Sequence, residues 1–149
     1  MLLALSELLG ERGERYAILD LDWLAWCRSD LTPSEMLSAN LRAVWTNFRH
    51  AGVRRLVLAR HVRSPAELAP IAAALPDVPL VAIRLEAPRR VLEERVRARD
   101  RGAALEEHLA LIVEAETAER FEDAAVRADL ASPREVAVAV LRAAGWNGT

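Results

Sequence analysis

Leu2, Leu3, Leu5, Leu8 and Leu9 open the chain at helical spacing, and Gly10 or Gly13 ends the run. Next comes a continuous apolar segment, "YAILDL", which reads as a buried strand. The 3.6-residue period returns in "LTPSEMLSANLRAVWTNFRHAG". There Met36, Leu37, Leu41, Val44, Trp45 and Phe48 form one face. Thr32 is the expected N-cap, with Pro33 at the first helical position, Glu35 at the third, and Gly52 closing the helix. "VRRLVLA" reads as a second strand, and "SPAELAPIAAAL" as a short helix capped by Ser64 with Pro65 and Glu67 behind it. "VPLVAIRLEA" is apolar enough for a strand buried on both faces. "PRRVLEERVRARDRG" is helical up to Gly102, and "AALEEHLALIVEAETAERFEDA" is helical again. A short strand, "AAVRAD", leads into a last helix, "SPREVAVAVLRAAGW", capped by Ser132 with Glu135 three residues on.

The predicted order is αβαβαβααβα, without a long linker, a low-complexity segment or an internal repeat. Alternating strands and helices predict an α/β fold, three layers with a parallel sheet between helices, in a single domain over residues 1–149. Ligands of such sheets bind beyond the carboxyl ends of the strands. Asp20 and Asp22 fall at the carboxyl end of the first strand.

Composition narrows the function classes. A net charge of −2 gives no electrostatic case for nucleic acid or an anionic membrane surface. No apolar segment approaches the roughly 20 residues of a membrane span. The first residues lack the basic region of a signal peptide, and Glu7 interrupts their apolar run. The single cysteine, Cys27, excludes an internal disulfide. The cytoplasm is the expected compartment. All 20 basic residues are arginine, so chemistry that requires a lysine is excluded for these residues.

Two segments carry candidate chemistry. In "DLDWL", one carboxylate would hold a Mg²⁺ water or a substrate hydroxyl while the other orients the substrate; alternatively both aspartates are turn-forming and helix-capping. In "LEERVRARDRG", Arg95 and Arg99 share a helix face, with Arg101 at its end. Their forked guanidiniums suit phosphate oxygens, as in a lid over a nucleotide. The alternative is a solvated helix on which Glu93 and Glu94 pair with Arg97 and its neighbours. His50, His61 and His108 lie in separate segments, away from the cysteine, which leaves a zinc-type site unsupported. Trp23, Trp26, Trp45 and Trp146 are expected in a core or a pocket wall, and Cys27 as a small buried residue.

The segments "ALSELLGERGERYAILDLDWLAW", "NLRAVWTNFRHAGVRRLVLA", "VAIRLEAPRRVLEERVRARDRG" and "SPREVAVAVLRAAGW" span nearly the whole chain. In them the chain resembles the small-molecule kinase branch of the P-loop NTPases, the group of shikimate kinase, adenylylsulfate kinase and chloramphenicol phosphotransferase. Within it the chain looks like actinobacterial ATP-binding proteins of unknown substrate. The resemblance implies ATP and Mg²⁺ as cofactors and a small hydroxyl compound as phosphoryl acceptor. Asp20 would assist the nucleophile or Mg²⁺, and Asp22 would hold the substrate. Arg95, Arg99 and Arg101 would close on phosphates, while Asp129, Ser132 and Pro133 would lie on the adenine side.

In that branch the D-x-D strand is the second strand, and the first helix leaves the phosphate loop. The resemblance therefore implies a chain that begins after its nucleotide site, without the buried strand and G-x-x-x-x-G-K-[ST] loop that cradle the phosphates. Four strands would remain, with either a slot or a repaired sheet where a fifth should run. The chain as given would be inactive. Arg60 stands where the branch usually has glycine, and Arg127-Ala128-Asp129-Leu130 where it usually has Asp-x-Asp-Gly.

Two other readings compete. "YAILDLDWL" also resembles the nucleophile strand of haloacid-dehalogenase-like phosphatases, with Asp20 attacking phosphate and Asp22 as acid/base. There Trp23 replaces the usual glycine, "RLVLAR" lacks a terminal Ser/Thr, and no later strand ends in a paired acidic motif. A non-catalytic interaction protein is the third reading.

Overall fold

A computed structural model describes residues 1–129 and 131–146. Its elements are α1 (Leu2–Glu11), β1 (Tyr16–Asp20), α2 (Asp22–Ala25), α3 (Pro33–His50), β2 (Arg55–Ala59), α4 (Ala69–Ala74), β3 (Ile83–Glu86), α5 (Arg89–Arg99), α6 (Gly102–Thr117), β4 (Ala124–Arg127) and α7 (Pro133–Ala143). The class is α/β, with 54% of the chain helical. The expected single sheet is not formed. β1 pairs with β2 and β3 pairs with β4, each pair parallel, in two separate two-stranded sheets. The chain divides into two compact units, Met1–Leu80 and a second that begins at Val81.

In the first unit the register sets Ala17 opposite Leu56 and Leu19 opposite Leu58. Side chains alternate along a strand, so these four share one sheet face. Leu19, Leu56 and Leu58 pack against a buried cluster of Leu21, Leu37, Leu41, Ile71, Ala74 and Leu75. From the predicted apolar face of α3, Leu37 and Leu41 are fully buried in this core and Trp45 packs against it. Ser38 Oγ donates to Pro70 O at 2.9 Å, and Arg42 Nη2 to Ala73 O at 3.1 Å, which ties α3 along α4. On the opposite face, Tyr16 Oη donates to Ser6 O at 2.8 Å and holds α1 against β1.

The predicted boundaries of α3 are present in full. Thr32 Oγ1 accepts from Glu35 N at 3.2 Å, and Glu35 Oε2 accepts from Thr32 N at 2.8 Å. At the other end Gly52 adopts φ 84°, and Val53 N donates back to Phe48 O at 2.9 Å. This left-handed reversal is one that glycine makes without a Cβ penalty.

The segment expected as one helix from Ser64 is broken. A 3₁₀ turn, Pro65–Glu67, precedes α4, and Ser64 makes no side-chain cap. Pro70 has no N–H to continue a hydrogen-bonded ladder from the turn, so the helix starts anew around it. Glu67 instead reaches back to Arg63, with Arg63 N at 3.1 Å and Arg63 Nε at 3.0 Å from its carboxylate.

In the second unit, β3 is shorter than the apolar segment around it. Val81 and Leu85 are exposed, and no residue of β3 is fully buried. This corrects the expectation of a strand buried on both faces. A two-stranded pair covers one edge only, and a segment without a second neighbour keeps extended pairing over few residues. Charge fills part of the gap. Arg84 pairs with Glu122 at 3.1 Å and lies over the Phe121 ring, while Arg120 pairs with Glu86 at 2.7 Å and with Glu122 at 3.1 Å. The buried residues of this unit include Ile112, Val126, Val136, Ala137 and Leu141. α7 packs against β4, and its capping box is formed as predicted: Ser132 Oγ accepts from Glu135 N at 3.3 Å and Ser132 N donates to Glu135 Oε2 at 2.8 Å.

Candidate functional site

Asp20 ends β1 and Asp22 begins α2, so both predicted carboxylates stand at the carboxyl edge of the first unit's sheet. Both are exposed. Asp20 Oδ1 accepts from Asp22 N at 3.1 Å, which closes a local turn. Leu21 between them is fully buried, and its N–H donates to Ala59 O at 2.9 Å. This alternation explains the motif physically. The central leucine plugs the core, and the two aspartates on either side of it are held outward. Among the described residues neither carboxylate takes part in an ion pair.

α2 was not expected from the sequence. Its inner residues, Leu24 and Ala25, pack against the core cluster. Asn40 Nδ2 on α3 donates to Leu24 O at 2.7 Å and fixes the short helix to the long one. Trp23 on its outer side and Trp26, the residue after its end, are 69% and 77% exposed, so neither lies in the core. Their ring centroids are 5.1 Å apart with the planes tilted by 42°. Cys27 is exposed too, contrary to expectation, because α2 ends before it and the chain leaves the core. Trp45 keeps its predicted role and packs against the core cluster.

The first unit has a groove of about 390 Å³ lined by residues that include Arg42, Trp45, Arg49, His50 and Asp77. It lies toward the C-terminal half of α3. Asn40 contacts α2 on the other half, so the groove does not include the D-x-D turn.

Arg95, Arg99 and Arg101, the candidate lid arginines, all have internal partners. Arg95 Nη2 donates to Ala128 O at 2.7 Å, which ties α5 to the exit of β4. Arg99 grips Asp100 through Nε at 2.8 Å and Nη2 at 2.9 Å, and His108 Nδ1 lies 2.7 Å from the same carboxylate. The Arg99 guanidinium, then His108, holds the Asp100 carboxyl at about 2, below its ordinary 3.8. Arg101 Nη1 donates to Arg97 O at 2.7 Å and Asp100 O at 2.6 Å, covering carbonyls at the end of α5. The pairs expected of a solvated helix are also present: Glu93 with Arg89 at 2.6 Å and Arg97 at 4.0 Å, and Glu94 with Arg90 at 2.6 Å.

Asp129 is paired with Arg127 at 2.7 Å, and its side chain is 4% exposed. The Arg127 guanidinium, with Arg95 farther off, lowers its carboxyl below the usual range. Ser132 and Pro133 form the N-cap and first turn of α7. Leu130 lies outside the described residues. The structure thus brings Arg95 and Asp129 together within the second unit. Three contributors were not signalled by the sequence pattern. Asn40 looked like one more polar residue on a helix, and Asp100 and His108 are separated by the break at Gly102. Among the described residues there is no cluster of three or more potential metal-binding side chains. No described helix is long and apolar enough to cross a membrane.

Comparison of the chain with protein-family models, curated proteins and solved structures finds no match.

Proposed function

We propose that the chain is a P-loop kinase-like protein that keeps the acceptor-substrate side of a small-molecule phosphotransferase and does not act on ATP by itself. The supporting observation is the edge of β2 that faces away from β1 in the first unit's two-stranded parallel sheet. Along β2, Arg55 N donates to Arg15 O and Ala59 O accepts from Leu21 N. Ladder bonds alternate in direction along a parallel strand, so the backbone groups of Leu56 and Leu58 point to the edge away from β1. That edge suits one more strand, flanked by apolar residues on either face.

In an intact relative of the kinase group, a loop after such a strand would hold the phosphates and Mg²⁺. The D-x-D turn would then present Asp20 to the acceptor hydroxyl or the metal, and Asp22 to the substrate. The sequence given has no lysine and no G-x-x-x-x-G-K-[ST]. Arg95, Arg99 and Arg101 have internal partners, and a lid role requires Arg99 to leave Asp100. Calorimetry with Mg-ATP is expected to show no binding tighter than millimolar. A chain extended before Met1 by an apolar strand and a G-x-x-x-x-G-K-S loop is expected to gain it. Micromolar binding by the chain as given, or no gain in the extended chain, refutes the reading.

A further inference from the structure

We infer that the groove beside the C-terminal half of α3 binds a small organic anion that carries a flat apolar ring. The D-x-D turn lies outside this groove, so the inference goes beyond the proposed function and does not depend on phosphoryl transfer.

The groove has fixed walls. One is α3, which presents Arg42, Trp45 and Arg49. The other is the end of α4 and the turn after it, where Ala74 and Leu75 are buried and Asp77 is exposed. The bonds from Ser38 to Pro70 O and from Arg42 to Ala73 O hold these two helices side by side. Trp45 lines the groove and also packs against the core cluster, so the core fixes its position. An aromatic wall that is already ordered loses little conformational entropy on contact with a ligand. The volume, about 390 Å³, suits a small organic molecule.

Charge selects the ligand. Nη2 of Arg42 donates to Ala73 O at 3.1 Å, which pins the guanidinium, and among the described residues no other partner takes its remaining N–H groups. The Arg49 guanidinium and the His50 ring, both lining the groove, have no hydrogen bond or ion pair among the described residues. They stand in the last turn of α3, where positive charge offsets the helix dipole. That role uses their charge and leaves their N–H donors open. Among the described residues that line the groove, Asp77 is the one acid, and it pairs with none of these three side chains. Two guanidiniums and an imidazole facing one carboxylate leave an excess of N–H donors and of positive charge. A carboxylate or phosphate accepts from forked guanidiniums, and a ring attached to it finds the Trp45 side chain. Bare phosphate gains only the charged contact, and a neutral ring only the apolar one. A cation is repelled by Arg42 and Arg49.

The test uses the chain as it is. Phenyl phosphate is the probe, with benzyl alcohol as the neutral ring and inorganic phosphate as the bare anion. Binding is read from the indole Nε1–H resonances, with Trp45→Phe for assignment. Phenyl phosphate is expected to shift the Trp45 signal with a dissociation constant on the order of a few millimolar, and to bind at least about fivefold more tightly than either control. Arg49→Gln, at an exposed position outside the core, is expected to weaken phenyl phosphate by roughly twofold to fivefold and leave benzyl alcohol unchanged. Asp77→Asn, which removes the opposing charge, is expected to tighten phenyl phosphate by about twofold. The inference is overturned if phenyl phosphate leaves the Trp45 signal unmoved, if either control binds as well, if Arg49→Gln has no effect, or if Asp77→Asn fails to tighten. Such binding is weaker than the Mg-ATP binding by which the proposed function is judged, so each result stands apart from the other.

Discussion

Leu41→Ala tests the core on which the candidate site stands. Leu41 is fully buried in the first unit's cluster, with Leu21, the residue between the two aspartates, in the same cluster. Cutting its isobutyl group to methyl removes about 2.5 kcal/mol of transfer free energy at roughly 0.8 kcal/mol per buried carbon. A cavity term adds to this, since the surrounding residues lie on helices tied together by the Ser38 and Arg42 bonds and collapse only in part. The expected loss is about 3–5 kcal/mol. With a urea m-value near 1.5 kcal/mol per M, the unfolding midpoint should fall by roughly 2 M or more. Trp45 fluorescence is the probe, because that side chain packs on the cluster. Leu3→Ala, the same chemical change at an 80% exposed position, is the control and should cost less than about 0.5 kcal/mol. A loss below about 1 kcal/mol at Leu41 would show that the cluster is not tightly packed in solution, and the fixed platform for α2 would go with it.

The helix caps and the ion pairs give two further expectations. Thr32→Ala and Ser132→Ala should each cost about 1 kcal/mol in urea unfolding, since each removes the acceptor of a capping box, while exposed Ser34→Ala should be close to neutral; equal effects at all three serine and threonine positions would refute the capping assignment. Acid should destabilise the protein in a defined window. Asp100 has its carboxyl lowered by Arg99 and His108 to about 2, and Glu14, Glu93 and Asp129 are lowered by Arg55, Arg89 and Arg127 respectively. A carboxyl lowered on folding contributes stability above its unfolded value, and that contribution is lost as pH falls through the folded value. Stability measured in urea should therefore decline from about pH 4.5 toward pH 2, less steeply in Asp100→Asn; a flat profile over that range refutes the pairings.

Local chemistry was legible wherever one segment carried the whole signal. Thr32 with Glu35 and Ser132 with Glu135 marked two helix starts, because a capping box is closed by residues three apart and needs nothing from elsewhere in the chain. The D-x-D at the carboxyl end of the first strand was readable for the same reason: a buried apolar run that stops at an acid must reach the edge of a sheet there. Pro70 is equally visible in the sequence, but the apolar period around it masks the break it makes in the helix.

Strand partners were outside the reach of the pattern. "VPLVAIRLEA" is as apolar as a central strand, yet only Ile83–Glu86 is extended in a ladder, and Leu80, Val81 and Leu85 remain exposed. Burial on two faces requires neighbours on two sides, and those are supplied by the tertiary arrangement. The same limit governed the tryptophans. Composition places indoles inside on average, but the direction of Trp23 and Trp26 was settled by Leu24 and Ala25, which took the inner side of α2, and by Asn40, which held it there. Arg95 and Arg99 show the complementary case. Their spacing on one helix was written in the sequence, while their partners, Ala128 O thirty-three residues on and Asp100 locked by His108 across a helix break, exist only once α5, α6 and β4 have packed.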